Sequence, residues 1–146
     1  MSPAMDVPLM EVLLNTMMSL LTDNKLSKEH FKKVSSYLKK GKAVIGGKTE
    51  KGCYVLPTVI DGVKPGDKLA QEEIFGPVVC VIGFDTEEEA IAIAHDTDYG
   101  LTNYVQTTDP ERARRVSRAV RSGMVDMNGR ARAAGSPFGG MKQSGN

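Results

Sequence analysis

The chain has 146 residues, enough for one ordinary domain with its own core. Apolar residues make up 40%, charged residues 25%, and the formal net charge is +1, a balance with no electrostatic preference for nucleic acid or an anionic membrane. No apolar run is long enough to span a bilayer, and two His with two scattered Cys show neither metal-ligand spacing nor a disulfide framework, which fits a reducing cytoplasm.

Met1 to Leu21 is rich in Met and Leu but carries Asp6 and Glu11 and no basic cluster ahead of its apolar part, so it does not read as a secretory signal. Leu9 to Leu21 predicts a helix ended by Asp23-Asn24. Ser27 opens a second helical pattern with Phe31, Val34, Tyr37 and Leu38 on one face and lysines on the other. Gly46-Gly47 marks a turn, and Val55 to Val59 a short strand that Pro57 confines to an edge or a strand end. Cys53, after Lys51-Gly52 in a loop, reads as a free and catalytically silent thiol. Asp61 to Asp67 is turn-rich.

Gln71-Glu72-Glu73-Ile74-Phe75-Gly76-Pro77 then sets two carboxylates against an apolar pair and a Gly-Pro stop. It feeds the apolar run Val78 to Phe84, a buried strand in which Cys80 serves as a small hydrophobe. Loops feeding such strands are where α/β proteins place functional groups. On local features alone, two solvated glutamates remain the plainer reading.

Thr86 with Glu89 three residues on is a capping-box signature for a helix running to about Asp96, with Ala90, Ile91, Ile93 and Ala94 on its apolar side. Tyr99-Gly100 turns the chain into a strand, Leu101 to Thr107. Asp109-Pro110 starts another helix, with Ala113, Val116, Ala119 and Val120 inward and Arg112, Arg114, Arg115, Arg118 and Arg121 largely outward. With few aromatics nearby to stack bases, that arginine face reads as solvated. Gly123 is expected to cap the helix, and Met124 to Met127 to form a third strand. The alternation predicts an α/β fold, a mainly parallel sheet with flanking helices. The tail from Gly129 to Asn146 is rich in Gly and Ala around Phe138, a composition that lets backbone approach a ligand or another chain closely.

Four segments in register carry a resemblance. Glu72 to Pro77, Asp96-Thr97-Asp98-Tyr99-Gly100-Leu101, Gly123-Met124-Val125-Asp126-Met127-Asn128 and Pro137 to Gly145 occur in the order and spacing of NAD(P)-dependent aldehyde dehydrogenases. Gly52 to Val59 resembles that family's strand before the double-Glu loop, and Ser27 to Lys42 its helix near the cofactor adenosine. The resemblance covers 27–146 as part of the catalytic domain, with 1–26 as a non-matching, helical segment.

The resemblance implies roles. Glu73 would hydrogen-bond the nicotinamide ribose, and Phe75 would pack beside the nicotinamide. Lys33 and His30 fall near the adenosine ribose, His30 where Gln is common. Phe138 would line the aldehyde channel, and Asn128 would support the active-site loops. His95 stands where Asn is usual before Asp-Thr, a change expected to be structural. The cofactor is NAD or NADP and the substrate an aldehyde oxidised to an acid. In the family a Cys thiolate attacks the aldehyde and a Glu activates water. Neither Cys53 nor Cys80 falls at the nucleophile position, no Gly-rich phosphate loop follows a strand, and the chain ends at Ser144-Gly145-Asn146. It therefore reads as truncated at both ends, with no catalytic residue of its own and no turnover alone. Self-association, or docking with a missing cofactor-binding half, is expected. The alternative is a non-catalytic binding or assembly module derived from such an enzyme.

Overall fold

A computed structural model describes residues 26–129 and 135–145. The helix expected over Leu9 to Leu21 and the tail alanines Ala131, Ala133 and Ala134 lie outside them. The chain divides into two compact units, one ending at Gly83 and the other starting at Phe84.

In the first unit, α1 (Lys28–Leu38) starts at Ser27, whose hydroxyl accepts from the His30 amide at 3.2 Å. Strand β1 (Ala43–Ile45) pairs antiparallel with β4 (Thr58–Ile60), which pairs parallel with β5 (Val78–Cys80). A separate hairpin joins β2 (Thr49–Glu50) to β3 (Tyr54–Val55), and a single turn of helix, α2 (Lys68–Gln71), precedes the double-Glu loop. The strand expected from Val55 to Val59 is thus two strands. Pro57 cannot donate to a ladder, and the chain changes partner there, from β2 to the three-stranded sheet. Val34, Tyr37, Val55, Ile60, Val63, Leu69 and Ile74 form the core, so α1 seals one side of this unit.

In the second unit, α3 (Glu87–His95) leads through β6 (Tyr99–Gly100) into β7 (Thr102–Val105), then α4 (Pro110–Ala119) and β8 (Met124–Met127). β7 and β8 pair parallel across the α4 crossover, and β6 pairs antiparallel with β9 (Met141–Lys142). Both expected helix starts are present. The Thr86 hydroxyl accepts from the Glu89 amide at 3.1 Å, and the Glu89 carboxylate reaches back to the Asp85 amide at 2.8 Å. One Asp109 oxygen accepts from the amides of Glu111 and Arg112. The arginine face is solvated as expected, although Arg115 grips Glu87 through two hydrogen bonds of 2.6 and 2.8 Å.

Further details depart from the sequence expectations. The buried strand expected over Val78 to Phe84 is strand only at Val78–Cys80, partly buried, and Phe84 is exposed. The expected sheet is divided: β5 pairs with β4 and β7 with β8, and of five strand pairings among the described residues two are parallel. Gly123 is not a helix cap. α4 stops at Ala119 with Val120 extended, and Gly123 is small because a Cβ there would lie 1.9 Å from the Gly139 carbonyl oxygen. No helix among the described residues is long and apolar enough to cross a membrane.

Candidate functional site

The spacing of α1 brings His30, Lys33, Val34 and Tyr37 onto one stripe, and all four meet the loop 72–76. Tyr37 is buried, and a buried phenol needs a partner. Its hydroxyl donates to Glu72 Oε2 at 2.6 Å. This bond, aided by Lys68 at 3.4 Å, holds the Glu72 carboxyl below its ordinary value. Val34, fully buried, packs against Gly76, where a Cβ would come within 2.9 Å of its Cγ2. Lys33 Nζ donates to the Glu73 carbonyl at 2.8 Å, and His30 Nε2 donates to the Phe75 carbonyl. The His30 ring also meets the Phe75 ring edge to face, with centroids 6.0 Å apart.

Ile74 is buried beneath the loop, while Phe75 adopts φ 56, a left-handed conformation uncommon for a bulky residue. The Phe75 ring is 74% exposed, and of the two exposed glutamates Glu73 is the one whose carboxylate has no hydrogen bond or ion pair among the described residues. The adjacent glutamates are therefore chemically distinct. Glu72 is occupied in holding the loop. Glu73 is an accessible anion beside an accessible ring, a combination suited to a ligand carrying hydroxyl donors and a flat ring system.

Asn128 and Phe138 belong to the second unit. Asn128 has φ 51; its Oδ1 accepts from the Thr107 amide at 2.9 Å, and its own amide donates to Val105 at 2.9 Å, closing the ends of β7 and β8 against each other. Phe138 is 72% exposed. The segment after it is fastened by Lys142, whose Nζ donates to the carbonyls of His95 and Thr97 at 2.7 Å each, and by Ser144, whose hydroxyl accepts from the Gly100 amide. His95 sits at the end of α3 with Nε2 3.1 Å from both the Arg121 amide and the Ala119 carbonyl oxygen.

Neither cysteine sits in the 72–76 loop. Cys53 occupies a left-handed turn position, and partial burial pushes the Cys80 thiol up, away from the reactive thiolate. No cluster of metal-ligating side chains occurs among the described residues. A recess of about 670 Å³ lies on α4, lined by Glu111, Arg114, Arg115 and Arg118, but its arginines 114 and 115 are already paired with carboxylates. The hydrogen bonds of Tyr37 and Lys142 have no counterpart in the sequence reading. A tyrosine on an apolar helix face, whose hydroxyl must find a partner, was the signal for the first.

The chain is mixed α/β, and the 72–76 loop leads into the start of β5. The model of the aldehyde dehydrogenase family matches residues 21–146, and the chain belongs to that family. It is 45% identical over 126 residues to the aminoacetaldehyde dehydrogenase of Pseudomonas aeruginosa, covering 82% of this chain and 25% of that protein. Among solved structures, the aldehyde dehydrogenase of Bartonella henselae superposes with a TM-score of 0.77 at 46% identity, over 82% of this chain and 27% of that one. The Mycobacterium tuberculosis aldehyde dehydrogenase complexed with NAD+ gives 0.76 at 42%, over 81% and 26%. The chain spans about a quarter of the length of the curated relatives it matches.

Proposed function

We propose that this chain forms the part of an NAD(P)-linked aldehyde dehydrogenase that seats the nicotinamide end of the cofactor during oxidation of an aldehyde to a carboxylic acid. The observation that carries the reading is the division of labour in the 72–76 loop: α1 engages the Glu72 carboxylate and the carbonyls of Glu73 and Phe75, and leaves the Glu73 carboxylate and the Phe75 ring presented. A ribose offers two neighbouring hydroxyl donors, and a carboxylate can accept both in charge-assisted hydrogen bonds. When bound, the dinucleotide supplies the hydride acceptor. Glu73 would hold its ribose, and Phe75 would limit the swing of its ring, since hydride transfer needs a narrow approach geometry. Lys33, which keeps N–H donors beyond its bond to Glu73, and His30 would stand on the ribose side.

In the same reading Asn128 supports the loops around the site, Phe138 lines the aldehyde path, and residues 27–146 act as one piece of a catalytic domain. Two unpaired cysteines suit a cytoplasmic setting. Exposed Phe75, Tyr104 and Phe138 favour self-association or docking against a complementary cofactor-binding segment.

NMR titration of the labelled chain with NAD+ and NADP+ tests the reading. Saturable shifts at Glu73 and Phe75, abolished by Glu73→Gln together with Phe75→Ala, are expected. Aldehyde-dependent reduction of the cofactor by the 146-residue chain alone is not expected, because neither Cys53 nor Cys80 falls at the nucleophile position of the family. Turnover lost in Cys53→Ser or Cys80→Ser would refute that expectation, and absence of any shift at Glu73 would refute the cofactor reading.

A further inference from the structure

We propose that His30 and Lys33 are positioning residues that hold the 73–75 backbone and so aim the Glu73 carboxylate and the Phe75 ring. Phe75 stands at φ 56, a conformation that persists only when its surroundings over-determine it. The loop between α2 and β5 has little main-chain bonding of its own to impose it. What lies against it is α1. Lys33 Nζ takes the Glu73 carbonyl at 2.8 Å, His30 Nε2 takes the Phe75 carbonyl, and Ile74 between them is buried. Two outward side chains flanking a buried one are thus set by two donors one helical turn apart on a single helix. The close approach of Val34 to Gly76 keeps that element in reach.

The arrangement fixes a chemical state as well. A carbonyl can only accept, so His30 must carry its proton on Nε2, leaving Nδ1 as its remaining ring nitrogen. An amide donor from Gln could replace this bond, and a methyl group could not. The ligand half of the inference rests on the cofactor reading above; the loop half does not.

The test uses the full 146-residue chain, isotope-labelled, with His30→Ala, His30→Gln and Lys33→Met. In the parent, His30 is expected in the Nε2–H form with ring contacts to Phe75. His30→Ala and Lys33→Met are expected to speed amide exchange across 74–76 about five- to tenfold, the fold-change of one net hydrogen bond, while β7 and β8 amides stay unchanged. His30→Gln should restore most of the protection and of the Phe75 shift. NAD+ affinity should fall in His30→Ala by about the same factor and recover in His30→Gln. Loop amides in His30→Ala and Lys33→Met that match the parent, or an Nδ1–H form of His30, would overturn the positioning role. A loosened loop with undiminished NAD+ affinity would overturn its link to the ligand. A loosened loop in a chain that never binds NAD+ would support the positioning and sink the cofactor reading instead.

Discussion

The loop at 72–77 and the segment at 139–145 are both tied down by side-chain hydrogen bonds, but their closest packing contacts differ in kind. In the first, side chains of one helix reach out to backbone carbonyls and to a carboxylate. In the second, backbone lies directly on backbone: a Cβ on Gly123 would fall 1.9 Å from Gly139 O, and one on Gly140 would fall 2.3 Å from Ser144 O. Side chains can shift rotamer and absorb a change; a carbonyl held in a bonded network cannot. The Gly76 contact in the 72–77 loop should therefore tolerate alteration gradually and the Gly123 contact with 139–140 abruptly.

Gly123→Ala is the largest expected break. Its methyl group meets fixed main chain, and the β8 start or the 139–140 turn must move, at a cost of about 3 kcal/mol, the upper range for overpacking. Gly76→Ala is the matched change in the first unit. Its methyl group meets the end of the Val34 side chain at 2.9 Å, which can yield in part, so about 1 kcal/mol is expected. Residue-resolved hydrogen exchange in denaturant would measure both. Equal losses would abolish the distinction between the two regions.

The same contrast explains what was legible in the sequence. Thr86 and Asp109 cap their helices as expected because a cap is decided within four residues. Gly123 was misread as a cap because its true constraint comes from Gly139, far along the chain and invisible to local pattern. The 71–77 loop stood out as polar chain entering an apolar strand, and the resemblance singled out Glu73 over Glu72. What separates the two glutamates in the structure is the Tyr37–Glu72 bond, which spans 35 residues and depends on the packing of α1. The apolar face of α1 was read correctly at Val34 and Tyr37, whereas the reach of His30 and Lys33 toward backbone carbonyls has no periodic signature. Strand pairing suffered most, since Pro57 divides one apparent strand between two sheets.

A smaller effect is expected at His95, where a side chain does hold the second unit. One nitrogen faces both a donor, the Arg121 amide, and an acceptor, the Ala119 carbonyl, and at any moment can satisfy only one of them. His95→Ala should cost about 1 kcal/mol, one net hydrogen bond, with faster exchange of the Arg121 amide. Gln carries both a donor and an acceptor on an amide that reaches the position of the imidazole Nε2. His95→Gln should therefore retain most of the parent's stability in thermal unfolding. A loss as large as that of the alanine variant would show that ring packing, not hydrogen bonding, is what His95 supplies.

The smallest effect separates the units by pH. Glu72 is held below its ordinary 4.5 chiefly by the Tyr37 hydroxyl, and Glu87 in the second unit chiefly by Arg115. A depressed carboxyl stabilises the fold above its unfolded value, and that stabilisation is lost as pH falls through the lower folded value. Both units should therefore weaken on acidification below about pH 4.5. Tyr37→Phe removes the main cause in the first unit and should flatten its acid dependence while leaving that of the second unchanged. Salt then distinguishes the two bonds. A charged pair at the surface is screened, with the Debye length falling to about 3 Å at 1 M salt, whereas a neutral phenol donor is much less sensitive. High salt should erase the acid dependence around Glu87 and leave that around Glu72 largely intact, as followed by unit-specific amide signals between pH 3 and 6 (roughly the carboxylate range).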